Sequence, residues 1–138
     1  MRKPERGAAT VELAAVMIFL MLLVSGVFEI GRAILISISL EDAAQEGAMF
    51  ASYNPGDAAE IKARVVDSVD SPAISLSDVT VSCLNPNPCC MVGGNEIKVT
   101  VRHRVDVITP LMTLIVGDHF DLQRDSVSRA FEGECLIP

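Results

Sequence analysis

GAATVELAAVMIFLMLLVSGVFEIGRAILISISLEDAAQEGAMFASY, residues 7–53, is the stretch whose reading decides the fold. It contains no proline, and its apolar residues recur without the period-two alternation of a strand, so it reads as one continuous helix. Leu13–Phe28 is 16 residues without a charge. Glu12 and Glu29 bracket it, about 26 Å apart at 1.5 Å per helical residue, close to the hydrocarbon thickness of a bilayer. A membrane span over about residues 10–30 follows. Asn54-Pro55-Gly56 ends the helix, because the residue before proline avoids helical dihedrals and Pro-Gly favours a turn.

Three basic residues, Arg2, Lys3 and Arg6, precede the apolar run, and Glu41, Asp42 and Glu46 lie beyond it. This asymmetry places the N-terminus in the cytoplasm and the remainder outside the cytoplasmic (inner) membrane. The chain has 138 residues and a net charge of −7. With Glu5 included, residues 1–7 carry +2, which leaves −9 on the rest. An acidic exported part argues against nucleic-acid binding, which requires basic surface to offset phosphates. The hydrophobic share of 50% is concentrated in the first third and reports the span more than a large globular core. The expected organisation is a leader at 1–7, a long helix at 8–53 and a small head at 54–138.

No proline or break follows the apolar run, so a removable secretory signal fits less well than an anchor. A different feature precedes it: Gly7, four uncharged residues, then Glu12 at the entrance to the hydrophobic helix. This pattern resembles the N-terminus of type IV prepilins. The wider set RGAATVE (Arg6–Glu12), EIGR (Glu29–Arg32) and AAQEGA (Ala43–Ala48) resembles the TadE-like family of Tad (tight adherence) pilus systems.

The resemblance implies cleavage by a prepilin peptidase between Gly7 and Ala8. Ala8 then becomes the first residue and Glu12 the fifth. It also implies other pilin subunits as partners through N-terminal helix packing, together with the Tad assembly machinery. A carboxylate inside an apolar bundle is costly unless paired, and the new α-amine of a neighbouring subunit would be such a partner for Glu12. Leu13 stands where the family more often has an aromatic residue. The chain is also far longer than a major pilin, and both points favour a minor pilin or pseudopilin. The implied function is structural: a non-enzymatic component of a pilus used in cell adhesion. The alternative is an unprocessed bitopic membrane protein that scaffolds the Tad secretion machinery or binds a partner.

Along the helix, Glu29 and Arg32 are spaced i, i+3 and can pair, either as an interfacial anchor or toward a neighbouring subunit. Ala43, Gly47 and Ala51 form a small-residue stripe, widened by Ala44 and Ala48. Such a stripe admits a close partner, which is either the chain's own sheet or another pilin helix.

The head reads as α+β. Asp57–Val69 has Ala58, Ile61, Val65 and Val69 at helical spacing. Val79–Cys83 alternates as a short strand. Ile97–Val107 is the clearest strand: Ile97, Val99, Val101, Val105 and Val107 share a face with His103, while Lys98, Thr100, Arg102, Arg104 and Asp106 face the other way. Leu111–Val116 reads as a short apolar turn or helix against the membrane or the stalk. Phe120–Phe131 reads as a third strand, bulged around Arg124–Asp125. The expected fold is therefore a long transmembrane helix with a head of one short helix and a roughly three-stranded antiparallel sheet.

Cys83, Cys89, Cys90 and Cys135 all lie on the exported side, where disulfides persist. Four cysteines allow three connectivities, and adjacent cysteines seldom join each other. Cys83 is expected to pair with one of Cys89 and Cys90, and Cys135 with the other. No metal is expected, since C-x5-C-C lacks the paired spacing of a zinc site. Neither a cofactor nor catalytic residues are expected: no phosphate-binding glycine loop or hydrolase motif occurs, and His103 and His119 have no nucleophile assigned to them. Asp118, Asp121 and Asp125 read as a solvated acidic edge.

Overall fold

The computed structural model describes residues 6–83 and 95–131. The elements in chain order are α1 (Arg6–Tyr53), α2 (Ala58–Asp67), a 3-10 turn (Leu76–Asp78), β1 (Val79–Cys83), β2 (Glu96–Asp106), α3 (Pro110–Val116) and β3 (His119–Arg129). The long apolar helix, the short helix and the three-stranded antiparallel sheet together make an α+β fold.

By its contacts the chain divides into two compact units. The first comprises residues up to Ala33 with Asp106–Phe120, and the second comprises Ile34–Val105 with the chain from Asp121 onward.

In the second unit the sheet order is β1-β2-β3. β1 and β2 are antiparallel, with Val79 opposite Val101, Val81 opposite Val99 and Cys83 opposite Ile97. The sheet's apolar side supplies Val79, Ile97, Val99, Val101 and Val105 to the core. α1 contributes Leu40, Ala43, Ala44, Ala48 and Ala51, and α2 contributes Ile61 and Val65. α2 begins where Asp57 caps it: one Oδ1 accepts the amides of Ala59 and Glu60 at 3.1 and 3.0 Å, satisfying donors that the first helical turn leaves open. Arg64 on α2 ties back to α1 through Glu46 at 3.0 Å.

The close approach of α1 is set at Gly47. A Cβ there would fall 2.2 Å from Val65 Cγ2 and 3.2 Å from Val99 Cγ1. The small-residue stripe is therefore buried inside this unit, against α2 and β2 of the same chain. A side chain at position 47 would force a local shift, chiefly between α1 and Val65 of α2.

Three readings of the sheet change. Thr100 is 7% exposed, although alternation assigned it to the wet face. It sits in the middle of the central strand, opposite Thr80, with a strand on either side. β3 alternates without interruption from His119 to Arg129, so the bulge expected at Arg124–Asp125 is not needed. The acidic edge is also not merely solvated: Asp125 pairs with Lys98 at 2.8 Å and Asp121 with Arg104 at 3.6 Å, both across β2 and β3. Arg102 donates to Gln123 at 3.0 Å in the same ladder. Each pair is partly exposed and contributes modestly, about 0.2–1 kcal/mol, but together they hold the β3 register.

Candidate functional site

The N-terminal half of α1 is where the chain departs most from a water-soluble design. From Val11 to Phe28 its large apolar residues other than Leu22 are exposed: Phe19 is 66% exposed, Met21 64% and Phe28 70%. An 18-residue window of this helix has a mean hydropathy of 2.5, and only 6% of it is buried within the chain. Exposed apolar surface on this scale marks a membrane or interaction site. Length and composition suit a single pass through a bilayer.

Gly7 has no atom within 4 Å of the position a side chain would take, and Ala8 is exposed. The bond between them is thus free of steric cover from the described residues. Glu12 is exposed on the same helix, five positions beyond Gly7, where a carboxylate meets the first apolar turn.

Glu29 and Arg32 come together, and with them a segment that the sequence did not assign to this place. Glu29 is 6% exposed. Its Oε1 accepts the backbone amide of Ile108 at 2.7 Å, 79 positions away in the chain. Its Oε2 faces Arg32 Nε at 3.6 Å, an ion pair without a hydrogen bond. The Arg32 guanidinium in turn donates to the carbonyl of Asp106. The pair therefore clasps the chain's own 106–108 segment. A carboxylate and a guanidinium at the end of an apolar helix are tolerable because each neutralises the other and each ties down a backbone group. The only local hint in the sequence was the break at Thr109-Pro110, which says that the strand stops but not where the segment goes.

Ala43, Gly47 and Ala51 lie in the core of the second unit, as described above. Cys83, at the end of β1, is disulfide-bonded. Cys89, Cys90 and Cys135 lie outside the described residues, and so does the pairing among them. Among the described residues no group of three or more His, Cys, Asp or Glu is arranged to hold a metal ion. Asp78 accepts the side chain and the backbone amide of Ser75, at 2.7 and 2.8 Å, which hold its carboxyl below the ordinary aspartate value; His103 adds a smaller attraction. This arrangement caps the 3-10 turn and needs no catalytic explanation.

A long helix with one apolar span and a small α+β unit fits a single-pass membrane protein. Residues 7–49 match the family described as TadE-like protein, over the same stretch whose motifs resemble that family. No curated protein and no solved structure matches the chain.

Proposed function

We propose that the chain is a minor pilin of a Tad-type, type IV-like pilus, with a structural or assembly role and no catalysis of its own. In this reading residues 1–7 are a leader, residues 8–53 the assembly helix and residues 54–138 an exported head. The protein enters the cytoplasmic membrane with its N-terminus inside. Prepilin peptidase cuts after Gly7, and the helix then leaves the bilayer for a bundle of like helices, where Glu12 meets the α-amine of a neighbour. Two disulfides, Cys83 with one of Cys89 and Cys90 and Cys135 with the other, brace the head.

One observation carries the reading. The family match at 7–49 takes in the apolar run Leu13–Phe28, most of whose large side chains are exposed among the described residues. A bilayer and a helical bundle are the two environments that satisfy such a surface, and a pilin occupies them in succession. The unprocessed scaffold remains the second reading, favoured by the burial of the Ala43–Gly47–Ala51 stripe. That burial removes this surface from contact with other helices.

Mass spectrometry of the native protein's N-terminus separates the two. A chain beginning at Ala8 in cells that hold the peptidase, and at Met1 in cells that lack it, is expected. A chain that begins at Met1 in both sinks the minor-pilin reading and leaves the scaffold.

A further inference from the structure

Val107–Gly117 reads VITPLMTLIVG: eleven residues without a charge, flanked by Asp106 and Asp118. Four of its large side chains are exposed. Leu114 is 82% exposed, Ile115 71%, Ile108 66% and Val116 52%. For a segment in water this is an unusual concentration of branched aliphatic surface. The segment belongs to the same compact unit as the apolar half of α1. Met112 Cε comes within 4.0 Å of where a side chain on Gly26 would begin, three positions before Glu29 and inside the apolar run.

The backbone of this segment is prepared for a poor hydrogen-bonding solvent. The Val107 amide donates to Asp118 at 2.9 Å, and the Ile108 amide to the Glu29 carboxylate at 2.7 Å. The Met112 and Thr113 amides reach Thr109, the Gly117 amide reaches Thr113, and the Thr113 hydroxyl donates to Pro110. Pro110, at the first turn of α3, has no amide to satisfy. Gly117 closes the helix at φ 95°, a conformation that side chains disfavour. Internal satisfaction of this kind is what irregular backbone needs at membrane depth.

We propose that Val107–Gly117 is a second membrane contact: an apolar wedge that enters the interfacial region of the bilayer beside α1, at the Glu29 end of the span, with Glu29 and Arg32 as its clasp. The inference rests on α1 being a membrane span. Its occupant is lipid because the exposed aliphatic side chains belong to the same compact unit as the apolar run of α1 and are tied to the end of that run by the Ile108–Glu29 hydrogen bond. The segment carries neither a charge nor a small-residue stripe with which to select a protein neighbour. Insertion at interfacial depth suits an amphiphilic segment ending in Asp106 and Asp118.

The chain has no tryptophan, so single substitutions provide clean optical reporters. The full chain is reconstituted into phosphatidylcholine vesicles whose lipids are brominated either close to the headgroup or in mid-chain. Leu20→Trp reports the middle of the span, Leu114→Trp the wedge and Leu76→Trp the exposed surface of the second unit. Ile115→Trp repeats the wedge measurement at a second position. Mid-chain bromines are expected to quench Leu20→Trp. Shallow bromines are expected to lower the emission of Leu114→Trp and Ile115→Trp by about twofold, as interfacial depth requires, and Leu76→Trp should be unaffected. If both wedge reporters behave like Leu76→Trp while Leu20→Trp is quenched, the wedge is refuted and the span stands. If Leu20→Trp is unquenched, the span fails and the wedge with it. Blue-shifted wedge emission that is insensitive to bromine and reverts on dilution of the protein in lipid would show a second copy covering the surface, which also overturns the proposal.

Discussion

Gly47→Ala tests how the second unit is packed. In an open helix this substitution stabilises by about 1 kcal/mol, because alanine loses less backbone entropy. At position 47 the added methyl would meet Val65 Cγ2 at 2.2 Å and Val99 Cγ1 at 3.2 Å. Both valines are completely buried and stiff at χ1, so neither can swing away at low cost. Overpacking of this kind costs about 1–3 kcal/mol. With the propensity gain set against it, a net loss of up to about 2 kcal/mol is expected. Val65→Ala alone removes two methyl groups, at about 0.8 kcal/mol each before any cavity term. In the double variant the methyl introduced at position 47 occupies the space left by Val65 Cγ2. The pair should therefore be more stable than the sum of its parts by about 1 kcal/mol or more. The measurement is guanidinium unfolding of the detergent-solubilised chain, followed by near-UV circular dichroism. Tyr53 is the only tyrosine, and its ring packs 5.4 Å from that of Phe131, so its signal reports this unit. Gly31→Ala, where nothing lies within 4 Å, is the control and should cost nothing. A stabilised Gly47→Ala, or a coupling to Val65 below about 0.5 kcal/mol, would refute the close approach.

Other consequences are open to direct measurement. Glu29→Ala strips the Ile108 amide of its acceptor and leaves Arg32 without its counter-charge, at an expected cost of about 1–3 kcal/mol; hydrogen exchange at Ile108 should accelerate, and Glu29→Gln, which keeps an acceptor, should accelerate it less. Asp78 has a folded-state pKa below the ordinary 3.8, so its contribution to stability is present above that value and fades as pH falls through the depressed one. Ser75→Ala removes the larger cause, and the carboxyl resonance of Asp78 should then titrate at higher pH; an unchanged titration would discount the cap. Alkylation of the native protein without reduction should leave Cys83 unlabelled, and labelling of Cys83 under those conditions contradicts its disulfide; peptide mapping then identifies its partner.

Much of this architecture is legible in the residues because it depends on short-range rules. The absence of proline from Gly7 to Tyr53 makes α1 one helix, and the sixteen uncharged residues from Leu13 make its first half apolar on every side. Alternation from Ile97 to Val105 announces a half-buried strand, and Pro55, Pro72 and Pro110 mark breaks between elements. The motifs at Gly7–Glu12, Glu29–Arg32 and Ala43–Ala48 fall inside the stretch that matches the TadE-like family. Each of these signals is complete within a few turns or a few strand positions.

What the residues alone left open was the choice of partner. The small-residue stripe suited either the chain's own sheet or a neighbouring helix, and the structure buries it against Val65 and Val99. The Glu29–Arg32 pair suited either a membrane edge or another subunit, and within the chain it holds the 106–108 segment. Thr100 looked wet by alternation and became buried because its strand is central. Helical and strand periods specify which face of an element is apolar, but they carry no information about what will cover that face. The covering residues are distant in the chain, 79 positions in the case of Glu29 and Ile108, and only tertiary packing brings them together.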